Sequence, residues 1–135
     1  PRTPEATVTA EVGGVWADEG DGSGATPDGR GADLRLRNGL QPDRTAIDMS
    51  FRGWRHRAVI AWPERRARLT MTADSPLDFL VVYSPRAQDF FCVEPVSHGG
   101  DAFNLAADGS ADTGMAVLAP GEALDARIRF EPSFD

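Results

Sequence analysis

Hydrophobic and polar positions alternate with period two along most of this chain. Leu124, Ala126, Ile128 and Phe130 alternate with Asp125, Arg127, Arg129 and Glu131, the pattern of a strand with one wet face. Leu69, Met71 and Ala73 alternate with Arg68, Thr70 and Thr72 in the same way. Residues 79–83 form a short continuous apolar run bounded by Ser75-Pro76 and Ser84-Pro85, which predicts a strand buried on both faces. Residues 90–93 read likewise, and shorter strands are predicted at 7–12, 34–37, 47–51, 58–62 and 115–118. No Gly- and Pro-free window long enough for a helix carries an amphipathic helical pattern. Ten prolines and fourteen glycines punctuate the sequence, as between the strands of a sandwich. The expectation is an all-β chain folded as an antiparallel β-sandwich.

One stretch breaks the rhythm. Across residues 18–32, Gly, Asp, Ser and Pro dominate, which predicts a long exposed loop or a flexible one. Asp18-Glu19-Gly20-Asp21-Gly22 has the look of a calcium loop, but it lacks the glutamate spacing and flanking helices of an EF-hand. We therefore expect no metal there.

Composition narrows the partners. The 135 residues (14.5 kDa) amount to one domain or part of one, with 41% hydrophobic and 26% charged residues, a globular balance. Net charge of −7 and a pI near 4.7 argue against a nucleic acid or an anionic membrane as the main partner. No apolar run exceeds five residues, far short of a membrane-spanning helix. A single cysteine, Cys92, permits no internal disulfide; with no recognisable signal peptide, the expectation leans to the cytoplasm. All 14 basic residues are arginine, a compositional bias rather than a mechanism. The opening Pro1-Arg2-Thr3-Pro4 lacks an initiator methionine, so a piece of a longer polypeptide is expected.

The segment Phe90-Phe91-Cys92-Val93-Glu94-Pro95 carries the most pointed chemistry. Glu94 follows four apolar residues and precedes a proline that is expected to end the strand. A carboxylate partly withdrawn from water there would be a stronger general base. The plain alternatives are a strand-end glutamate pointing into water or one paired with an arginine. Asp48 lies in Ala46-Ile47-Asp48-Met49-Ser50-Phe51, where alternation puts it on a face with Ser50 and opposite Ile47, Met49 and Phe51. That face reads as solvated, though two carboxylates also suit a glycosidase-type site. His56 reads as a surface histidine and His98 as a loop histidine; with one thiol in an apolar strand they do not make a metal set. Cys92 reads as a packed thiol. Trp16, Trp54 and Trp62 read as packing residues before sugar-stacking ones.

The order of motifs adds a resemblance. Ile47-Asp48-x-x-Phe51-x-Gly53-Trp54 is followed by Ala58-Val59-Ile60-Ala61-Trp62-Pro63, Leu80-Val81-Val82-Tyr83-Ser84-Pro85 and Phe91-Cys92-Val93-Glu94-Pro95-Val96-Ser97-His98. Downstream come Asp101-Ala102-Phe103-Asn104 and Val117-Leu118-Ala119-Pro120-Gly121-Glu122. This series resembles the C-terminal half of the aldose 1-epimerase (galactose mutarotase) family. The resemblance implies half of a large antiparallel β-sandwich and interconversion of the α and β anomers of an aldose such as galactose or glucose, without metal or cofactor. It implies Glu94 as the general base and Asp48 as a substrate-binding acid. The family's general-acid histidine would lie before Pro1, so the resemblance also implies that the site is completed by a missing N-terminal half, or that the chain self-associates. The alternative class is a non-catalytic carbohydrate-binding or interaction sandwich.

Overall fold

A computed structural model describes residues 1–16, 32–42 and 46–135. The chain is all-β, and the described residues form two four-stranded antiparallel sheets, two short α-helices and a 3-10 turn at Pro63–Arg65. The strands are β1 (Thr7–Ala10), β2 (Gly14–Trp16), β3 (Ile47–Arg52), β4 (Arg57–Trp62), β5 (Ala67–Ala73), β6 (Phe79–Ser84), β7 (Cys92–Val96) and β8 (Ile128–Phe134). The helices are α1 (Ala32–Asn38) and α2 (Ala102–Ala107). One sheet has the order β1-β4-β5-β8 and the other β2-β3-β6-β7. Among the described residues no helix is long and apolar enough to cross a membrane.

Alternation builds the core. On the first sheet Val8 pairs with Ile60 and Ala10 with Ala58, and Ala58 in turn faces Met71. On the second, Phe51 lies between Val15 and Leu80, and Met49 faces Val82. These side chains form one buried cluster, as in a sandwich whose inner faces interdigitate. The opposite positions of β3, Asp48, Ser50 and Arg52, are exposed or half-buried, as the sequence predicted for Asp48.

Several expectations are corrected. The strand predicted at 34–37 is helix α1, which lies on β1. Leu36 is fully buried while Leu34 is 57% exposed, although strand geometry would put both on one face. Residues 115–118 lie outside any strand and are exposed. The strand expected from Leu124 begins only at Ile128, and every residue of β8 is exposed. β7 begins at Cys92 rather than Phe90, which is itself exposed, so 90–93 is not a doubly buried strand. Pro95 does not end β7. The strand is at a sheet edge, where a missing N–H on the outward side leaves no partner unsatisfied. Strand β2 went unread because three residues are too few to show a period. The calcium-like segment 18–22 and most of the predicted 18–32 loop lie outside the described residues.

Pairing fixes which side of β8 is apolar. Phe130 is opposite Met71 and Ile128 opposite Ala73, so β8 continues the core-side face of the first sheet. Ile128, Phe130 and Phe134 are nevertheless exposed, Phe134 by 78%.

Candidate functional site

The face of the second sheet away from the core gathers both predicted acids. Asp48 on β3 is in register with Tyr83 on β6, and Tyr83 with Cys92 on β7. One row along, Trp16 on β2 pairs with Ser50, Ser50 with Val81, and Val81 with Glu94. Asp48 and Glu94 therefore share a face with β6 between them. Two strand spacings and a two-residue offset put their Cα atoms roughly 12 Å apart. That is too far for the carboxylates to share a proton and near enough for one small molecule to touch both. Glu94 and Asp48 are both exposed. The desolvation expected for Glu94 is thus absent, because an edge strand on an open face leaves its carboxylate in water.

Cys92 is half-buried and stands two residues from Glu94 on the same face. Burial first, and then the charge of Glu94, pushes the thiol above its ordinary value of 9.0. Only the thiolate is nucleophilic, so Cys92 is expected to alkylate slowly near pH 8. Glu94→Gln should speed that reaction severalfold without reaching the rate of a free thiol, since burial persists. Iodoacetamide labelling of the two proteins checks this. The sign for stability follows: the raised thiol contributes below its ordinary value, and the contribution is lost as pH rises through the folded-state value.

One end of the face is walled. Trp16 meets Phe79 edge-on, with ring centroids 5.2 Å apart, and the Trp16 Nε1–H donates to the Gly100 carbonyl at 2.9 Å. Gly99 lies against the Trp16 ring, and its N–H donates to the Thr113 carbonyl at 3.0 Å. Gly114 has φ +76°, and a methyl group there would overlap the Ser97 carbonyl and the Phe79 ring. Gly114→Ala is expected to lose about 1–3 kcal/mol from backbone strain, and more from the overlap. Gly109→Ala is the control, since Gly109 has φ +87° with nothing near its missing Cβ. Thermal unfolding of the two variants separates overlap from strain.

Neither histidine joins the two rows. His98 is exposed beyond the end of β7, stacked on Phe103 at 5.4 Å, with Nδ1 3.1 Å from the Ser97 hydroxyl. His56 sits in a turn with φ +56°, its Nε2 2.8 Å from Asp78 Oδ1 and its ring beside Trp54. His56 borders a separate cleft of about 810 Å³, which Glu11, Arg37 and Trp54 also line and neither candidate acid does. Among the described residues no three His, Cys, Asp or Glu side chains group closely enough to hold a metal ion. All three tryptophans have packing roles: Trp54 is buried in the core, Trp16 forms the wall, and the Trp62 Nε1–H donates to the Pro1 carbonyl at 2.9 Å. The sequence reading missed the Trp16–Phe79 wall and the place of Tyr83 between the acids. Alternation could have put Tyr83 on an outer face, but only the register puts it opposite Asp48.

The fold and this arrangement can now be set beside known proteins. The chain has the fold of a solved Escherichia coli K12 structure described as a putative aldose 1-epimerase. The TM-score is 0.74 at 22% identity, over 99% of this chain and 47% of that one. It is also 28% identical over 136 residues to the uncharacterized protein YphB of Escherichia coli K12, covering 95% of this chain and 46% of the relative. The chain thus spans about half the length of both. No family model matches it.

Proposed function

We propose that this chain is the sugar-binding half of an aldose 1-epimerase-like isomerase. The observation that carries the reading is the pair of acids, Asp48 and Glu94, brought from separate strands to one open sheet face across a gap that fits one small ligand. The likeness in fold to the E. coli structure supports it. In this reading Glu94 takes the proton from the anomeric hydroxyl while an acid protonates the ring oxygen. The bond between C1 and the ring oxygen breaks, C1–C2 rotates, and the ring closes on the other face of the aldehyde. Asp48 accepts hydrogen bonds from sugar hydroxyls and fixes the ring over Glu94. By the family resemblance the acid is a histidine supplied from outside these 135 residues. The other half is proposed to cover the apolar side of β8, where Phe130 and Phe134 stand exposed.

One observation favours a second reading, a sugar-binding sandwich without turnover: neither His56 nor His98 shares the rows of Asp48 and Glu94. Polarimetry of freshly dissolved α-D-galactose and α-D-glucose decides between them when run beside a sugar titration followed by NMR. Faster mutarotation than buffer supports the isomerase. Binding without acceleration by the full-length protein supports the second reading, and no binding at all overturns both.

A further inference from the structure

β6 runs between the two strands that carry the acids, and its outward side chains are Phe79, Val81 and Tyr83. Phe79 is buried beneath the wall and Val81 is aliphatic, so Tyr83 alone brings a polar group from β6 to the open face. Tyr83 stands directly opposite Asp48 on one side and Cys92 on the other. Directly opposed side chains lie about 5 Å apart at Cβ and diagonal neighbours about 7–8 Å, within reach of an aromatic side chain. Glu94 is that diagonal neighbour. The Tyr83 ring neighbours the exposed Phe90, with ring centroids 6.5 Å and planes 52° apart. Among the described residues the Tyr83 hydroxyl has no hydrogen-bond partner and is open to water. A phenol with donor and acceptor capacity to spare therefore stands beside Asp48, on the strand between the two acids, with Glu94 at the diagonal position.

We propose that Tyr83 is a third sugar contact and determines specificity. Its hydroxyl pairs with a ring hydroxyl lying between the one held by Asp48 and the anomeric hydroxyl facing Glu94. The inference rests on the aldose reading and deepens it. A carboxylate only accepts, whereas a phenol donates and accepts, so Tyr83 tolerates either hydrogen-bond direction. What it senses is whether a hydroxyl is present. The substrate class is then aldohexoses that keep the hydroxyl at that ring carbon, and the corresponding deoxy sugar is discriminated against.

Tyr83→Phe tests this, because it removes one oxygen and leaves the ring beside Phe90. Affinities of the full-length wild-type and Y83F proteins are measured by NMR titration for D-galactose and its 2-, 3- and 4-deoxy forms. Loss of one neutral hydrogen bond predicts about three- to tenfold weaker binding of galactose by Y83F. One deoxy sugar should be weakened by a similar factor in the wild type and lose nothing further in Y83F. That non-additive sugar identifies the hydroxyl touched. An equal loss for every sugar, or no loss, overturns the role of Tyr83 while the aldose reading stands. If wild-type protein binds no aldose, the aldose reading itself falls and takes this role with it.

Discussion

On the proposed isomerase mechanism, replacing Glu94 by glutamine is expected to lower the mutarotation rate of the full-length protein by about 10²–10⁴. The amide keeps the size and shape of the carboxylate but cannot take the anomeric proton. Glu94 is exposed on an edge strand and supports no part of the core, so folding should be untouched. The loss should therefore fall on turnover, with galactose affinity changed only modestly. Asp48→Asn should do the opposite, weakening affinity about tenfold or more, because a hydrogen bond to a charged acceptor contributes about 1.5–3 kcal/mol. Polarimetry gives the rates and an NMR titration the affinities. A Glu94→Gln protein as fast as wild type would remove the base from the mechanism, and with it the main claim made for this face.

The second large effect concerns the core on which the face is built. Phe51 is fully buried at the centre of the second sheet, between Val15 and Leu80. Phe51→Ala is expected to cost about 3–5 kcal/mol, the usual cost of truncating a core phenylalanine. Against a typical total stability of about 5–15 kcal/mol, that leaves a marginal fold. Ser50 and Arg52 flank Phe51 on the strand and point to the open face, so sugar affinity should fall with stability. In the 135 residues by themselves Phe134→Ser, on an exposed strand, is expected to change stability by about 0.5 kcal/mol or less. Urea unfolding of the two variants gives the comparison. Equal losses would mean that burial does not distinguish these positions in solution.

The strands that carry the acids were legible because their alternation was long enough to count. Asp48 could be put on the wet side of β3 from Ile47, Met49 and Phe51 alone, and the buried pattern of that strand agrees. Glu94 was singled out correctly as a strand residue but for a reason that fails, since it lies in water rather than at a buried end. Residues 34–37 misled because Leu34 and Leu36 alternate with charged neighbours in a segment of seven residues, too short for a helical period to declare itself. Residues 115–118 misled because an apolar run predicts burial only if something lies opposite, and nothing in these residues does. What could not be read was the pairing of β3 with β6, which skips β4 and β5 because both belong to the other sheet. That topology brings Asp48 and Glu94 within one ligand's span and puts Tyr83 between them.

The order of strands in the sheets also bears on how the chain reaches this state. β4–β5 and β6–β7 are neighbours in sequence, while β1 must find β4 and β5 must find β8, at the far end of the chain. Closing such separations loses chain entropy before any contact offsets it, and all-β proteins dominated by distant pairs fold in about milliseconds to seconds rather than microseconds. The two local hairpins are the natural starting points. The acids end on the same face once β3 has passed over one hairpin to reach the other, a shorter closure than β1 to β4 or β5 to β8, so loop entropy lets the face that carries Asp48 and Glu94 form ahead of the outer strands of the other sheet.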